Sequence, residues 1–209
     1  MMRAFNAAMI VYLIAPIVLV VWMSFTPAAF FQLPLASFSL RWYREALSYP
    51  DFTRAFALSA ELAALAALAA VLLSFSAAYG LVRYRPRGSG FLLGFFTSPL
   101  VVPAVVFGIA MLQFVNRVGL YNDFAGLLLA HVVVITPYAI RTLHAAIQTV
   151  PEEMEWAAMV LGAGRLRMLC RITLPLTARG LVTAFLFAFL LSFSEVTMTL
   201  FMTGPALQT

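Results

Sequence analysis

Five apolar runs, at 5–25, 55–82, 91–115, 121–140 and 181–203, constrain this 209-residue chain more than any other feature. Each is close to the ~20 residues that an α-helix needs to cross a hydrocarbon core of roughly 30 Å. Lipid offers no hydrogen bonds to the backbone, so a single apolar run of this length must satisfy its own N–H and C=O groups as a helix. The predicted fold is all-α: a polytopic transmembrane helix bundle, one membrane domain over 1–209, with a cytoplasmic segment at 149–180. Composition agrees, since 64% of the residues are hydrophobic and 10% charged, against about half and a quarter in soluble domains. Nineteen Phe, seven Tyr and three Trp exclude a disordered tail. The first run exceeds the apolar core of a signal peptide and lacks a clear cleavage site, so it is read as a retained helix.

All thirteen basic residues are arginine, and the absence of lysine excludes a Walker A phosphate loop and lysine Schiff-base chemistry. The net charge of +5 does not indicate nucleic acid, because the arginines sit in short connections between apolar runs, where they orient the chain in the membrane. With the N-terminus inside, nine arginines (3, 83, 85, 87, 141, 165, 167, 171, 179) are cytoplasmic and four (41, 44, 54, 117) are outside. The outer connection at 26–53, with Phe30, Phe31, Pro34, Trp42, Tyr43, Tyr49 and Pro50, is expected to lie along the membrane surface as a short amphipathic piece. An odd number of spans ends the chain outside, at 204–209, where a sixth span is expected to be missing. Cys170 permits no internal disulfide and is read as a small apolar filler.

The stretch 149–175, TVPEEMEWAAMVLGAGRLRMLCRITLP, carries the most information. Thr149 and Glu152 have the spacing of a capping box, Pro151 falls in a first turn, and Glu152, Glu153 and Glu155 place negative charge at the positive end of a helix dipole. Met154, Ala157, Ala158 and Leu161 follow at i, i+3, i+4 and i+7, one narrow apolar face. Gly162-Ala163-Gly164 supplies a left-handed turn before a second, basic helix that begins at Arg165. A helix this short cannot bury that face in its own bundle and also stand clear of the headgroups, so it reads as a docking element for another protein. The competing reading is an amphipathic connector packed under the bundle.

Glu155-Trp156-Ala157-Ala158, Gly162 after three residues and Ile172-x-Leu174-Pro175 after nine more resemble the EAA signature of the permease subunits of bacterial ABC importers. One position departs: Trp156 stands where the family has its glutamate, with Glu155 one residue earlier. Shorter stretches resemble the polyamine (spermidine/putrescine) subgroup. These are FSLRWY at 38–43, SPLVVP at 98–103, TPY at 136–138, SFSE at 192–195 and LFMTGP at 200–205. Members normally have six helices here.

The resemblance implies a chain with no catalytic group and no bound cofactor. It implies ATP hydrolysis on separate ABC ATPase subunits, a second permease subunit, which in this subgroup is usually a homologue, and an extracytoplasmic substrate-binding protein. It also implies a multi-pass chain of the bacterial inner membrane. It assigns Glu155, Trp156, Ala157, Ala158, Leu161 and Gly162 to coupling with the ATPase, and it favours a small cation such as a polyamine as substrate.

Within the spans, a carboxylate at mid-bilayer costs roughly 2.5–3.5 kcal/mol on insertion scales and usually faces a cavity or a partner. Ser192, Glu195 and Thr199 at i, i+3 and i+7 are expected to form a polar stripe along the substrate path, the competing reading being a helix–helix hydrogen-bond seam. Pro103, with Pro99, is expected to break or kink the third span and expose carbonyls to a neighbour or to the path. Glu61 lies near the outer boundary, within reach of water or Arg54. His131 and His144 are too far apart for a metal site, and an interhelical hydrogen bond is the expected use of such a histidine. A rival reading is a self-sufficient proton- or ion-coupled carrier or channel using Glu61 and Glu195. It calls for inverted repeats with interrupted helices, which the sequence lacks.

Overall fold

The computed structural model describes residues 2–27 and 38–203. Phe30, Phe31 and Pro34, and the segment 204–209, lie outside the described residues. The chain divides into two compact units, 1–56 and 57–209. In the first, helix α1 (Met2–Ser24) is followed by the short α2 (Arg41–Ser48). α2 is held to the end of α1 by aromatic side chains. Trp42 Nε1 donates to the Thr26 carbonyl at 2.8 Å, the Tyr43 hydroxyl donates to Ser24 Oγ at 2.8 Å, and Phe25 stacks on Phe38 at 4.9 Å. The amphipathic piece expected outside the first span is therefore a real helix of eight residues.

α3 (Pro50–Arg83) begins in the first unit and continues as the first long helix of the second. After it come α4 (Ser89–Thr97), a 3-10 turn (Ser98–Val101), α5 (Ala104–Arg117) and α6 (Phe124–Gln148). The chain then forms α7 (Glu152–Val160), α8 (Arg165–Met168), a π turn (Leu169–Thr173), α9 (Leu174–Leu176), α10 (Ala178–Phe193) and α11 (Thr197–Met202). Three helices among the described residues, Phe5–Ser24, Pro50–Arg83 and Phe124–Gln148, are long and apolar enough to cross a membrane. The number rises to five if each of two bent helix pairs counts as one span.

Small side chains explain the packing of the second unit. Ala63, Ala66, Ala67 and Ala70 form one fully buried face of α3. Without large side chains between them, backbones approach closely, which in lipid is a main source of helix association. Ala66, Ala67 and Ala70 meet Ile135 of α6 and Ala188 of α10. Farther along, Val71, Leu81 and Val82 close on Ile140, Leu143 and Ile147 of α6 and on Ala184 of α10. At the opposite end, Leu62 packs with Met111 and Val115 of α5, Leu127 of α6, and Met198 and Met202 of α11. The crossing of α10 over α6 depends on Gly180, where a Cβ would collide with that of Ala146.

Two of the predicted spans are broken. The prolines at 99 and 103 turn the third through 102° between Ser89–Val101 and Ala104–Arg117, a break rather than a gentle kink. Proline removes a backbone donor and disfavours the helical conformation before it; Ser98 stays helical ahead of Pro99, but Val102 ahead of Pro103 is extended, and only a 3-10 turn is left between the two helices. The fifth span is interrupted at 194–196, between α10 and α11. A 71° bend also separates Arg165–Leu176 from Ala178–Phe193. The fourth starts at Phe124, where Asp123 caps the helix by accepting from the Ala125 N–H at 2.7 Å, and runs to Gln148.

Candidate functional site

Thr149 and Glu152 do not form the predicted capping box. Thr149 is the last turn of α6 and its hydroxyl donates backward to the Ala146 carbonyl at 2.7 Å. α6 runs on to Gln148, so α7 can start only after Pro151, its N-cap, which has no side-chain oxygen to offer. Glu152 is engaged elsewhere, accepting from Arg85 at 2.6 Å. The other end of α7 is as expected. Gly162 has φ +86°, the Gly162 N–H donates to the Met159 carbonyl at 3.0 Å, and the Ala163 N–H donates to Ala158 at 3.0 Å. This pair of bonds is a Schellman motif, whose left-handed residue is glycine for want of a Cβ.

The motif holds α7 with its apolar residues turned away from the rest of the chain. Trp156 is 61% exposed, Val160 85% and Leu161 88%. Ala157 and Met154 are also exposed, Ala158 is half-buried, and Leu166 across the turn extends the same surface. The reading as a connector packed under the bundle does not describe this face. Cys170 is exposed rather than a buried filler.

Glu155 points the other way. It is the buried residue of α7, 4% exposed, and its carboxylate is fully used. Oε2 accepts from Arg83 Nε at 2.9 Å and from the Tyr79 hydroxyl at 3.3 Å. Oε1 accepts from a second Arg83 nitrogen at 3.0 Å and from Thr173 Oγ1 at 2.7 Å. Arg83 also donates to the Val150 carbonyl at 3.0 Å. Burial pushes the Glu155 carboxyl up, but the hydrogen bonds and charge of Arg83, with Thr173 and Tyr79, outweigh it and hold the carboxyl below its ordinary range. A bidentate guanidinium–carboxylate pair fixes direction as well as distance. One carboxylate thus ties α7 to the last turn of α3 and to the π turn.

The residues expected along the fifth span straddle the break. Ser192 lies in the last turn of α10, Glu195 in the break and Thr199 in α11, so a continuous helical stripe does not exist. Both are buried and meet at His131 of α6, Nδ1 lying 2.8 Å from Ser192 Oγ and Nε2 3.1 Å from Thr199 Oγ1. The Thr199 hydroxyl already donates to the Glu195 carbonyl at 2.9 Å. It must therefore accept from Nε2–H, which leaves Nδ1 to accept from Ser192. This arrangement is the interhelical histidine expected of His131. Glu195 is half-buried and its carboxylate accepts from the Met198 N–H at the start of α11. Pro103 is the exposed N-cap of α5, and Glu61 is exposed on α3. No group of three His, Cys, Asp or Glu able to hold a metal ion occurs among the described residues.

Sequence reasoning missed Tyr79, Arg83 and Thr173. Tyr79 and Arg83 are four apart, on one face at the end of α3, and that spacing was the available signal. From sequence alone Arg83 reads only as one of the orienting charges. Thr173 is turned inward by the π turn, which adds a residue to the helical register, a feature that often marks functional positions.

Residues 70–209 match the family described as binding-protein-dependent transport system inner membrane component. Over 206 residues the chain is 34% identical to the putrescine transport system permease protein PotI of Escherichia coli (strain K12), an alignment covering 95% of this chain and 73% of that protein. Over 202 residues it is 28% identical to the spermidine/putrescine transport system permease protein PotC of the same strain, covering 97% and 76%. Among solved structures, the fold matches that of a bacterial ABC transporter involved in the import of the acidic polysaccharide alginate. The TM-score is 0.78 at 17% identity, over 99% of this chain and 74% of that one.

Proposed function

The chain belongs to the family of binding-protein-dependent transport system inner membrane components, and on that premise we propose how its parts divide the work of an ABC importer. It is a multi-pass permease subunit, not an enzyme. ATP is bound and hydrolysed on separate ABC ATPase subunits that dock on the exposed surface of Trp156, Ala157, Val160 and Leu161, with Ala158 and Gly162 fixing its shape. The observation that carries this assignment is the open apolar face of α7, held outward by the Schellman turn at Gly162. A small apolar surface on a short rigid helix is the shape of a helix-in-groove contact. No cofactor is assigned to the permease itself.

The arginine asymmetry supports a cytoplasmic side for α7 and the N-terminus. A second, homologous permease completes the pathway, and an extracytoplasmic binding protein delivers the solute. The relatives named for putrescine and for spermidine/putrescine support a small polycation as substrate. Glu195, at the break in the fifth span, is the carboxylate assigned to the path, with Ser192 and Thr199 framing the break and Pro103 opening the third span. A self-sufficient carrier using Glu61 and Glu195 is not favoured, since the relatives are permeases of binding-protein-dependent systems.

The test is purification of the chain from its own membranes in mild detergent, followed by reconstitution with its binding protein. A nucleotide-binding subunit should come with it, and vesicles should take up putrescine only with ATP inside the compartment that α7 faces. Loss of the nucleotide-binding subunit from a stable permease, or uptake without ATP, would end the reading.

A further inference from the structure

α7 has nine residues and its apolar side chains face outward, so little attaches it to the bundle beyond its two backbone connections. Besides the Glu152–Arg85 pair at 2.6 Å, the exception is Glu155. Its carboxylate gathers Tyr79 and Arg83 from α3 and Thr173 from the π turn, while Arg83 also holds the Val150 carbonyl that follows α6. The cluster continues toward α10, because Thr177 Oγ1 donates to the Thr173 carbonyl at 2.7 Å, at the 71° bend from which α10 departs. The joint is buried on one side and open on the other. A cleft of about 640 Å³, with Arg85, Ser89, His144, Gln148 and Glu152 on its walls, lies against Arg83 and the start of α7.

Resting on the reading of α7 as the docking element, we propose that the Arg83–Glu155 pair is the joint that converts displacement of α7 into displacement of α3 and of the root of α10. Arg83 is a positioning residue: it touches neither ATP nor solute. An apolar contact slides under load, whereas a two-pronged ion pair buried with all its acceptors filled resists both translation and rotation. Arg83 is the last residue of α3, so a push delivered there acts along the whole 34-residue helix, whose alanine face packs on α6 and α10. Motion entering through a single outward helix is thereby shared among three membrane helices rather than absorbed at the turns on either side of α7.

The experiment uses the whole transporter, permeases, ATPases and binding protein, reconstituted in vesicles, and reads two quantities together: ATP hydrolysed and putrescine imported. Glu155→Gln keeps the shape and the Thr173 bond but removes the charge. It should leave the ATPase bound and hydrolysing and raise the ATP consumed per putrescine about tenfold, within the usual range of coupling between sites. Arg83→Lys, which keeps charge without the fork, should fall between it and the natural protein. A merely structural role would instead lower assembly, hydrolysis and import in parallel.

If Glu155→Gln does not insert, Tyr79→Phe and Thr173→Val each remove one hydrogen bond without stranding a charge, and each should raise the same ratio by a smaller factor. An unchanged ratio in Glu155→Gln, or in both milder variants, overturns the joint. Failure of the natural permease to bind any ATPase overturns the docking surface instead, and the two failures are told apart by that control.

Discussion

Ser192 and Thr199 lie on opposite sides of the break in the fifth span, yet both are hydrogen-bonded to one imidazole, that of His131 on α6. The break therefore has fixed geometry. The spacing that suggested a continuous polar stripe instead brings two hydroxyls to the two nitrogens of a neighbouring helix, and leaves Glu195 to cap the helix that resumes.

Replacing His131 by leucine removes both bonds and strands the Ser192 hydroxyl in a buried site. The loss should be about 1–2 kcal/mol, the scale of interhelical hydrogen bonds in membranes and of an unsatisfied buried group. Thermal unfolding of the permease in detergent measures it. His131→Gln, which can still donate and accept, should recover part of the loss, and equal melting of the leucine variant and the natural protein would show that the bridge contributes nothing.

Gly162 offers a cleaner substitution because a Cβ there meets nothing within 4 Å, so only the backbone objects. At φ +86° an alanine should cost about 1–2 kcal/mol and valine more, enough to reorient or fray the end of α7. Membrane insertion should be unaffected. Uptake should fall in the order Gly, Ala, Val while ATP hydrolysis persists. Normal uptake with valine would remove α7 from the coupling assignment.

Trp156 separates docking from folding. It is 61% exposed and lies on no buried cluster, so Trp156→Ala should change the stability of the permease by less than ~0.5 kcal/mol. As a large aromatic in the middle of the proposed surface it should weaken ATPase binding by about 2 kcal/mol, roughly thirtyfold. Titration of the solubilised ATPase onto vesicles carrying the permease gives the number, and unchanged affinity would move the docking surface elsewhere.

The three long apolar helices, at Phe5–Ser24, Pro50–Arg83 and Phe124–Gln148, and the turn at Gly162 were legible because each depends on local sequence: apolar run length in one case, a glycine after a helical face in the other. The capping box at Thr149 was misread because the same Thr can end one helix as easily as begin the next, and only the length of α6 decides between them. The polar stripe assumed an unbroken helix through 194–196, where neither proline nor glycine marks a stop. Glu155 looked like its neighbours Glu152 and Glu153, acids suited to a first turn. Its inward direction depends on Arg83, 72 residues earlier, and on Thr173, 18 later, partners that no local pattern can supply.

That inward direction has a consequence for pH. The Glu155 carboxyl titrates below its ordinary value of about 4.5, so the folded arrangement binds its proton less readily than the unfolded segment does. The stabilisation is fully present above that ordinary value and is lost as pH falls through the lowered one. Protonation would also leave the buried Arg83 guanidinium with only Glu152, 4.0 Å away, as counter-charge, so acid should release α7 from the end of α3 before the apolar clusters of the spans give way. Limited proteolysis of the detergent-solubilised permease between neutral pH and about pH 3, with an acid-tolerant protease, should show cleavage near 149–165 rising as pH drops below about 4.5. In Glu155→Gln the same segment should be more easily cleaved at neutral pH and lose most of that pH dependence. Cleavage that rises identically in both proteins would mean that another group controls the segment.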